Sequence, residues 1–308
     1  MSRTLLLSHL PASTSGRPGW PWTAETIPPP NAGRLSWPRI TVVMPSYQQA
    51  SFLEEAIRSV LLQNYPNLEF MVNDGGSSDG SVAILERYRA FLTAAESAPD
   101  GGQGAAINKG LDRGTGEILG WLNSDDFYLP GALFSVAVRF MHGDADLVYG
   151  DAFNLHADDG EKLEYWGGYW VRRQFLQFGG LLPSHATFWS RTIHERIWEE
   201  LNCNVDGELW QRLVPGRRVR YLPQPLAVFR LHKDTKSQGE QWRQKWAEDD
   251  KLIWTRHGAP RHTRLSRAWF NRSQQVFRWL NQNRNKSVKR AILAACQWPK
   301  RTWIGPAP

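Results

Sequence analysis

Ile40-Thr41-Val42-Val43-Met44-Pro45, followed after a short turn by Ser51-Phe52-Leu53-Glu54-Glu55-Ala56-Ile57-Arg58-Ser59-Val60-Leu61, is the stretch that decides the fold. An unbroken apolar, β-branched run has the pattern of a strand buried on both faces, as in a parallel sheet. Pro45 ends the run because it has no N–H for a ladder. Ser51 and Glu54 have capping-box spacing, and Phe52, Ala56, Ile57, Val60 and Leu61 recur at the helical period, which predicts a helix over about 51–63.

Outward from this pair the alternation continues. Residues 68–72 read as the next strand. After the glycine-rich turn 74–80, Val82, Leu85, Tyr88 and Leu92 mark an amphipathic helix. A helix near 104–113, a strand at 117–122, a helix opening at Pro130 and a strand at 147–149 follow. Strands alternating with crossover helices predict a largely parallel α/β sheet. Beyond 150 the pattern is less regular, with strands expected at 186–189 and 219–222 and a helix at 191–201. Residues 1–38 are Pro- and Gly-rich and read as a loosely ordered arm, pinned by Trp20, Pro21 and Trp22. The main domain is expected over 39–235, and 236–308 reads as a helical, basic extension.

The 308 residues suffice for a sizeable core. With 41% hydrophobic and 22% charged residues, they exclude a disordered or collagen-like chain. Cys203 and Cys296 are too few for a disulfide framework and lack zinc-ligand spacing, so a reducing cytoplasm is the expected setting. The net charge of +7 is uneven: residues 261–308 hold eleven Lys or Arg and no Asp or Glu, and removing those eleven charges leaves −4 for the rest. The basic character belongs to the tail, which argues against a nucleic-acid-binding core and for an anionic surface as the tail's partner.

In parallel α/β sheets ligands bind beyond the carboxyl ends of the strands. Three such segments carry carboxylates. In Asn73-Asp74-Gly75-Gly76-Ser77-Ser78-Asp79-Gly80 the glycines let backbone approach a ligand and Asp74 offers acceptors, although a plain turn with Asp79 as helix cap would use the same residues. The adjacent carboxylates of Asn123-Ser124-Asp125-Asp126 repel one another unless a cation or donors intervene, which suits Mg²⁺ or Mn²⁺ holding a pyrophosphate; a solvated turn is the other reading. In Asn204-Val205-Asp206-Gly207-Glu208, the acids also fit simple helix capping. Dinucleotide-binding, Walker A, zinc-protease and nucleophile-elbow motifs are absent.

Taken in order, Val42-Val43-Met44-Pro45-Ser46-Tyr47, the 74–80 loop, Gly102-Gln103-Gly104-Ala105-Ala106-Ile107-Asn108-Lys109-Gly110, Gly120-Trp121-Leu122-Asn123-Ser124-Asp125-Asp126 and Asp206-Gly207-Glu208-Leu209-Trp210 resemble the motifs of a family 2 glycosyltransferase of the GT-A type. The resemblance spans about 40–235, about two thirds of the chain. It implies a Rossmann-like, mostly parallel central sheet flanked by helices, and a UDP-, GDP- or dTDP-sugar donor. Asp74 would bind the donor base, with Pro45 and Tyr47 shaping the pocket; Asp125 would contact ribose or sugar; Asp126 would ligate Mn²⁺ or Mg²⁺; Gln103, Asn108 and Lys109 would flank the donor. Asp206 stands at the catalytic base, where the family's usual Glu-Asp is Val205-Asp206. Arg230, His232 and Lys236 fall in a segment like the family's closing loop near the diphosphate, with His232 a candidate third ligand.

The implied reaction is transfer to an acceptor hydroxyl with inversion, in polysaccharide or glycolipid biosynthesis. Tyr165, Trp166, Tyr169, Trp170 and Trp189 are candidates to stack on an acceptor glycan. Leu265, Trp269, Val276, Phe277 and Leu280, with Arg264, Arg267, Arg272 and Arg278, form a basic amphipathic helix suited to a membrane's inner face and a lipid-linked acceptor, or to packing on the catalytic domain. A sugar nucleotidyltransferase and a non-catalytic nucleotide-sugar or glycan-binding module are the alternatives; nucleic-acid binding through the tail stands behind them.

Overall fold

Strand β1 (Ile40–Ser46) is buried at every residue and lies mid-sheet, between β2 (Leu68–Asp74) and β4 (Ile118–Trp121), both parallel to it. A short β3 (Ala94–Ser97) extends this parallel half beyond β2. Helices α1 (Ala50–Leu61), α2 (Ser81–Tyr88) and α3 (Gln103–Arg113) make the crossovers. Alternation along β1 divides the core: Val42 and Met44 pack with Leu53, Ile57 and Leu85 of α1 and α2, whereas Val43 packs with Ile107 and Leu111 of α3. Helix α3 comes so close to the sheet that a Cβ on Gly110 would stand 2.5 Å from Val43 Cγ1. In this computed structural model the described residues are 6–13, 15–30, 32–176, 178, 182–237, 239–259, 263–282, 294 and 303–304.

Past β4 the sheet becomes mixed. Strand β8 (Thr187–Ser190) pairs antiparallel with β4, and β6 (Leu147–His156) antiparallel with β8. β7 (Lys162–Trp166) folds back on β6, with β10 (Trp303–Ile304) beside it. β9 (Val219–Leu231) runs parallel to β6, with a register shift at Asp151, and its end pairs with β5 (Phe127–Tyr128). Parallel pairing predominates over the whole sheet, as expected from the sequence, and β6 with β9 is its longest stretch. The antiparallel pairs lie in this second half, where hairpin and loop connections replace some of the crossover helices. The remaining helices are α4 (Ala132–Met141), α5 (Arg173–Leu176), α6 (Val205–Leu213), α7 (Arg243–His257) and α8 (Arg264–Gln282).

Three local expectations are corrected. Ser51 does not cap α1; Asp79 reaches across to accept from Ala50 N–H at 2.8 Å while also accepting from Ser81 N–H and Oγ, so one carboxylate closes the starts of two helices. The 191–201 segment forms only a 3₁₀ turn, Arg191–Ile193, and then runs irregularly against α3. Its buried Ile193, Ile197 and Leu201 have helical spacing, but Asn108 supplies the hydrogen bonds, to Ile197 N–H and O, both at 2.9 Å. The N-terminal arm is packed rather than loose where described. Buried Arg58 donates to the carbonyls of Pro11, Pro21 and Trp22, and Trp20 Nε1 donates to Tyr128 O.

Helix α8 docks through Phe270, Gln274 and Phe277: Phe270 stacks on Phe178 at 4.4 Å, Phe277 meets Tyr221, and the Gln274 amide pairs with Trp170 N–H and O. Arg267 and Arg278 lie over the rings of Phe178 and Tyr169. Leu265, Trp269, Val276, Trp279 and Leu280 remain exposed. Among the described residues no helix is long and apolar enough to cross a membrane. Cys296 and the tail's basic residues other than Arg264, Arg267, Arg272 and Arg278 lie outside the described residues.

Candidate active site

The carboxyl ends of β1 and β4 open into a cavity of about 620 Å³. Pro45 and Tyr47 from the end of β1, Gln103 from the start of α3, Asp125 from the loop after β4, Asp206 from the start of α6 and Lys236 from the loop after β9 all line it. Strand ends and helix starts gather there because crossover connections return every parallel strand to the same side.

Asp74 lies just behind this wall. Its carboxylate accepts from Gly76 N–H, Ser77 N–H, Ser77 Oγ and Ser97 Oγ, at 3.2, 2.8, 2.6 and 2.6 Å, and is buried. The loop meets the cavity through Gly75, beside Tyr47 and Asp100. Asp74 is thus engaged in shaping the turn, and the loop presents its Gly75 backbone to the cavity.

The two adjacent carboxylates have different surroundings. Asp126, the residue expected to hold the cation, is 1% exposed and is not part of the cavity lining; its Oδ1 accepts from Arg230 N–H at 2.9 Å, and its Oδ2 has no hydrogen-bond partner among the described residues. Burial, and next the charge of Asp125, push its pKa well above the usual carboxylate range. Asp125 lines the cavity instead, with Oδ2 3.2 Å from His232 Nε2. Of the two neighbours, Asp125 is the one that faces the cavity, because the Arg230 backbone turns Asp126 inward.

An oxygen and an imidazole nitrogen at this separation fit neighbouring ligands on an octahedral divalent ion, which lie about 3 Å apart. No group of three or more His, Cys, Asp or Glu side chains able to hold a metal occurs among the described residues. A cation here would rely on ligand oxygens for the rest of its shell. The His232 ring rests on Phe52, with centroids 4.9 Å apart, and Phe52 in turn lies under the Arg230 guanidinium, which pairs with Glu55 at 2.8 Å.

Asp206 opens α6, where Oδ1 accepts from Gly207 N–H at 2.9 Å. Burial pushes its pKa up to about 6, against that hydrogen bond. Of the two acids in this segment, Asp206 alone faces the cavity; Glu208 is fully buried and held by Arg212 and His257. Lys236 Nζ donates to Gln103 Oε1 and Asn202 O, and burial is the main cause lowering its pKa from the usual lysine value. A half-buried carboxylate whose pKa is pushed up to about 6, the Lys236 ammonium and Asp125 share one cavity, and His232 stands behind Asp125 outside the lining. That is equipment for moving a proton beside a charged leaving group.

The sequence pattern described as Glycosyl transferase family 2 matches residues 41–198, just over half of the chain. The chain belongs to this family. Glycosyltransferase GlyA of Streptococcus pneumoniae is 23% identical over 235 residues, 68% of this chain and 32% of GlyA. An uncharacterized glycosyltransferase of Nostoc sp. is 32% identical over 224 residues, 63% of this chain and 65% of that one. The chain thus spans about a third of the first relative and just under two thirds of the second. In fold it is similar to S. aureus TarS 1-349 in complex with UDP-GlcNAc, with a TM-score of 0.54 at 17% identity, covering 83% of this chain and 79% of that one. It is also similar to the mannosyltransferase PcManGT from Pyrobaculum calidifontis in complex with GDP-Man and Mn²⁺, with a TM-score of 0.53 at 18% identity, covering 86% and 79%. The GT-A type of fold expected from the sequence is therefore observed.

Two expected donor-flanking residues lie outside the cavity lining of this family member. Asn108 is buried and bonded to Ile197 and Glu199; Lys109 pairs with Glu96 on the surface at 2.8 Å. The aromatics expected in an acceptor cleft do not line this cavity either. Trp189 is in the core beside Trp121 and Trp210, Tyr165 bonds Asp151, Trp166 meets Tyr169, and Trp170 meets Phe175.

Sequence reasoning missed Asp249 on α7, whose carboxylate accepts from the N–H groups of Asn202, Cys203 and Asn204 at 3.0, 2.6 and 2.9 Å, just ahead of Asp206. It also missed Trp242 and Trp246 in the cavity wall. The available signal was the spacing Trp242, Trp246, Asp249, Ile253, an inward helix face.

Proposed function

We propose that this enzyme transfers a glycosyl unit from a nucleoside-diphosphate sugar to an acceptor hydroxyl by a single displacement with inversion. The observation that carries the reading is that Asp125, 3.2 Å from His232, lines one cavity with Asp206, whose pKa is pushed up to about 6. In the reaction the acceptor oxygen bonds to the anomeric carbon as the bond from that carbon to the diphosphate oxygen breaks. The acceptor's proton goes to the Asp206 carboxylate, and the electron pair leaves with the nucleoside diphosphate. Asp125 and His232 would hold Mn²⁺ or Mg²⁺, which offsets charge on the diphosphate when bound. Lys236, held by Gln103 and Asn202, adds a fixed positive charge near the same group. The backbone of the 74–80 loop, with Pro45 and Tyr47, would receive the base.

The relatives bound to UDP-GlcNAc and GDP-Man support a nucleotide-sugar donor, and the one with Mn²⁺ supports a divalent cation. The exposed stripe on α8, beside Arg264 and Arg272, supports peripheral contact with an anionic membrane from the cytoplasmic side, where a glycolipid or lipid-linked polysaccharide precursor would be glycosylated. The main domain is proposed to run over 39–235, with the basic extension after it. The deciding experiment incubates the full chain with UDP-, GDP- and dTDP-sugars, with Mn²⁺ or with chelator, and follows nucleoside diphosphate release. Metal-dependent release from one donor is expected, with an inverted anomeric centre in the product by NMR. Equal release in chelator overturns the metal role, and a retained centre overturns the single displacement.

A further inference from the structure

Sixteen tryptophans are many for 308 residues. Packing accounts for Trp121, Trp189 and Trp210, which cluster with centroids 5.5 to 5.8 Å apart. Trp242 and Trp246 are different. They stand one helical turn apart where the chain enters α7, and both line the cavity that holds Asp125 and Asp206. Trp246 Nε1 donates to Lys236 O at 2.8 Å, which fixes its ring. The Trp242 ring lies 5.4 Å from Lys236 Nζ and 4.8 Å from Lys245 Nζ. Its Nε1 is buried and has no acceptor among the described residues. The buried Nε1 groups of Trp121 and Trp210 share that condition, so the position of Trp242 in the cavity wall is what sets it apart.

The same helix reaches the base. Trp242, Trp246, Asp249 and Ile253 share one face. Asp249 grips the backbone of 202–204, directly before α6 and Asp206, and Ile253 is anchored in the core. At 1.5 Å per residue, Trp246 precedes Asp249 by about 4.5 Å along the axis. The indoles therefore stand roughly one turn from the backbone that carries the proton acceptor. A hydroxyl attacking under Asp206 must belong to a molecule lying against this wall.

We propose that Trp242 and Trp246 form the acceptor subsite and that the acceptor is a saccharide. One face of its ring lies against the indoles, with its oxygens toward Lys245, which lines the same cavity beside Trp242. A sugar ring pairs an apolar C–H face with a rim of oxygens, which rigid indoles beside an ammonium complement. The inference rests on the transfer reading above and adds the acceptor's chemical class and its place.

The test uses the full chain with methyl glycosides of glucose, galactose, mannose and N-acetylglucosamine as probes, in saturation-transfer NMR with diamagnetic Mg²⁺ and a nucleoside diphosphate. At least one glycoside is expected to receive saturation at its ring C–H protons. Trp242→Ala and Trp246→Ala should weaken it at least tenfold, by more than any change in the donor's KM. Trp242→Phe, which keeps a ring and removes the N–H, should fold as wild type by circular dichroism and lose less. Binding of no glycoside, equal binding by the variants, or a loss falling mainly on the donor overturns the proposal. Transfer from each nucleotide sugar to the bound glycoside is measured separately; its absence beside intact glycoside binding would overturn the transfer reading and not the subsite.

Discussion

The two walls of the cavity are built on different principles. On one side Pro45, Tyr47, Gly75 and Asp125 hang from the ends of parallel strands inside the family-matched region. On the other, Asp206, Lys236, Trp242 and Trp246 lie beyond that region and are placed by contacts between distant segments, above all Asp249 with 202–204. The first wall inherits its geometry from the sheet. The second is assembled from polar contacts, and its precision depends on a few side chains.

The sharpest way to break this contrast is Asp206→Asn. Loss of a general base should lower kcat by about 10²–10⁴-fold while donor affinity stays within about twofold; near-normal turnover would remove Asp206 from the chemistry. In wild type the rate should fall as pH drops through about 6, because the base works only when ionised and burial raises its pKa to that value. A pH–rate profile flat to pH 5 would contradict this.

Next in size is the split between the neighbours. Asp125→Asn should weaken Mn²⁺-dependent donor binding at least tenfold in calorimetry and leave the melting temperature nearly unchanged. Asp126→Ala should destabilise by about 1–3 kcal/mol, since it leaves the buried Arg230 N–H unpaired. A destabilised Asp125 variant and a stable, donor-deficient Asp126 variant would reverse the assignment.

Asp249→Asn should then lower kcat by roughly tenfold, with a smaller change in the donor's KM, by loosening three charge-assisted hydrogen bonds ahead of Asp206. Equal changes in kcat for Asp249→Asn and for a remote destabilising variant would mark it as merely structural. The smallest effect is expected at Lys109→Ala, within about 0.5 kcal/mol of wild-type stability by urea unfolding, because its pair with Glu96 is solvent-exposed.

Much of the first wall was legible in the chain. The run at Ile40–Ser46 and its turn residues follow from local pattern, and the loops after strands pointed to Asp125 and to the 74–80 segment. What failed to show locally was direction. Asp125 and Asp126 are neighbours in sequence, yet one faces the cavity and the other is turned inward by a backbone N–H 104 residues away. Asn108 and Lys109 sit in a motif whose composition suits a ligand, but the first is taken up by Ile197 and the second by a surface acid. The short β3 has no periodic signal of its own; pairing with β2 makes it a strand, and its Ser97 helps hold Asp74. Asp249 carries no local mark either, since an acid on a polar helix is ordinary until three amides converge on it.

Arg58 has a bearing on how this chain can be cut. Its guanidinium, buried in α1, takes up carbonyls from Pro11, Pro21 and Trp22 and the hydroxyl of Tyr88. A version of the protein trimmed to the family's own limits would strip that cation of three acceptors while leaving it inside. Swapping such a domain between relatives, or fusing it to a new partner at residue 41, should therefore fail by insolubility rather than by loss of catalysis, unless the leading segment travels with it.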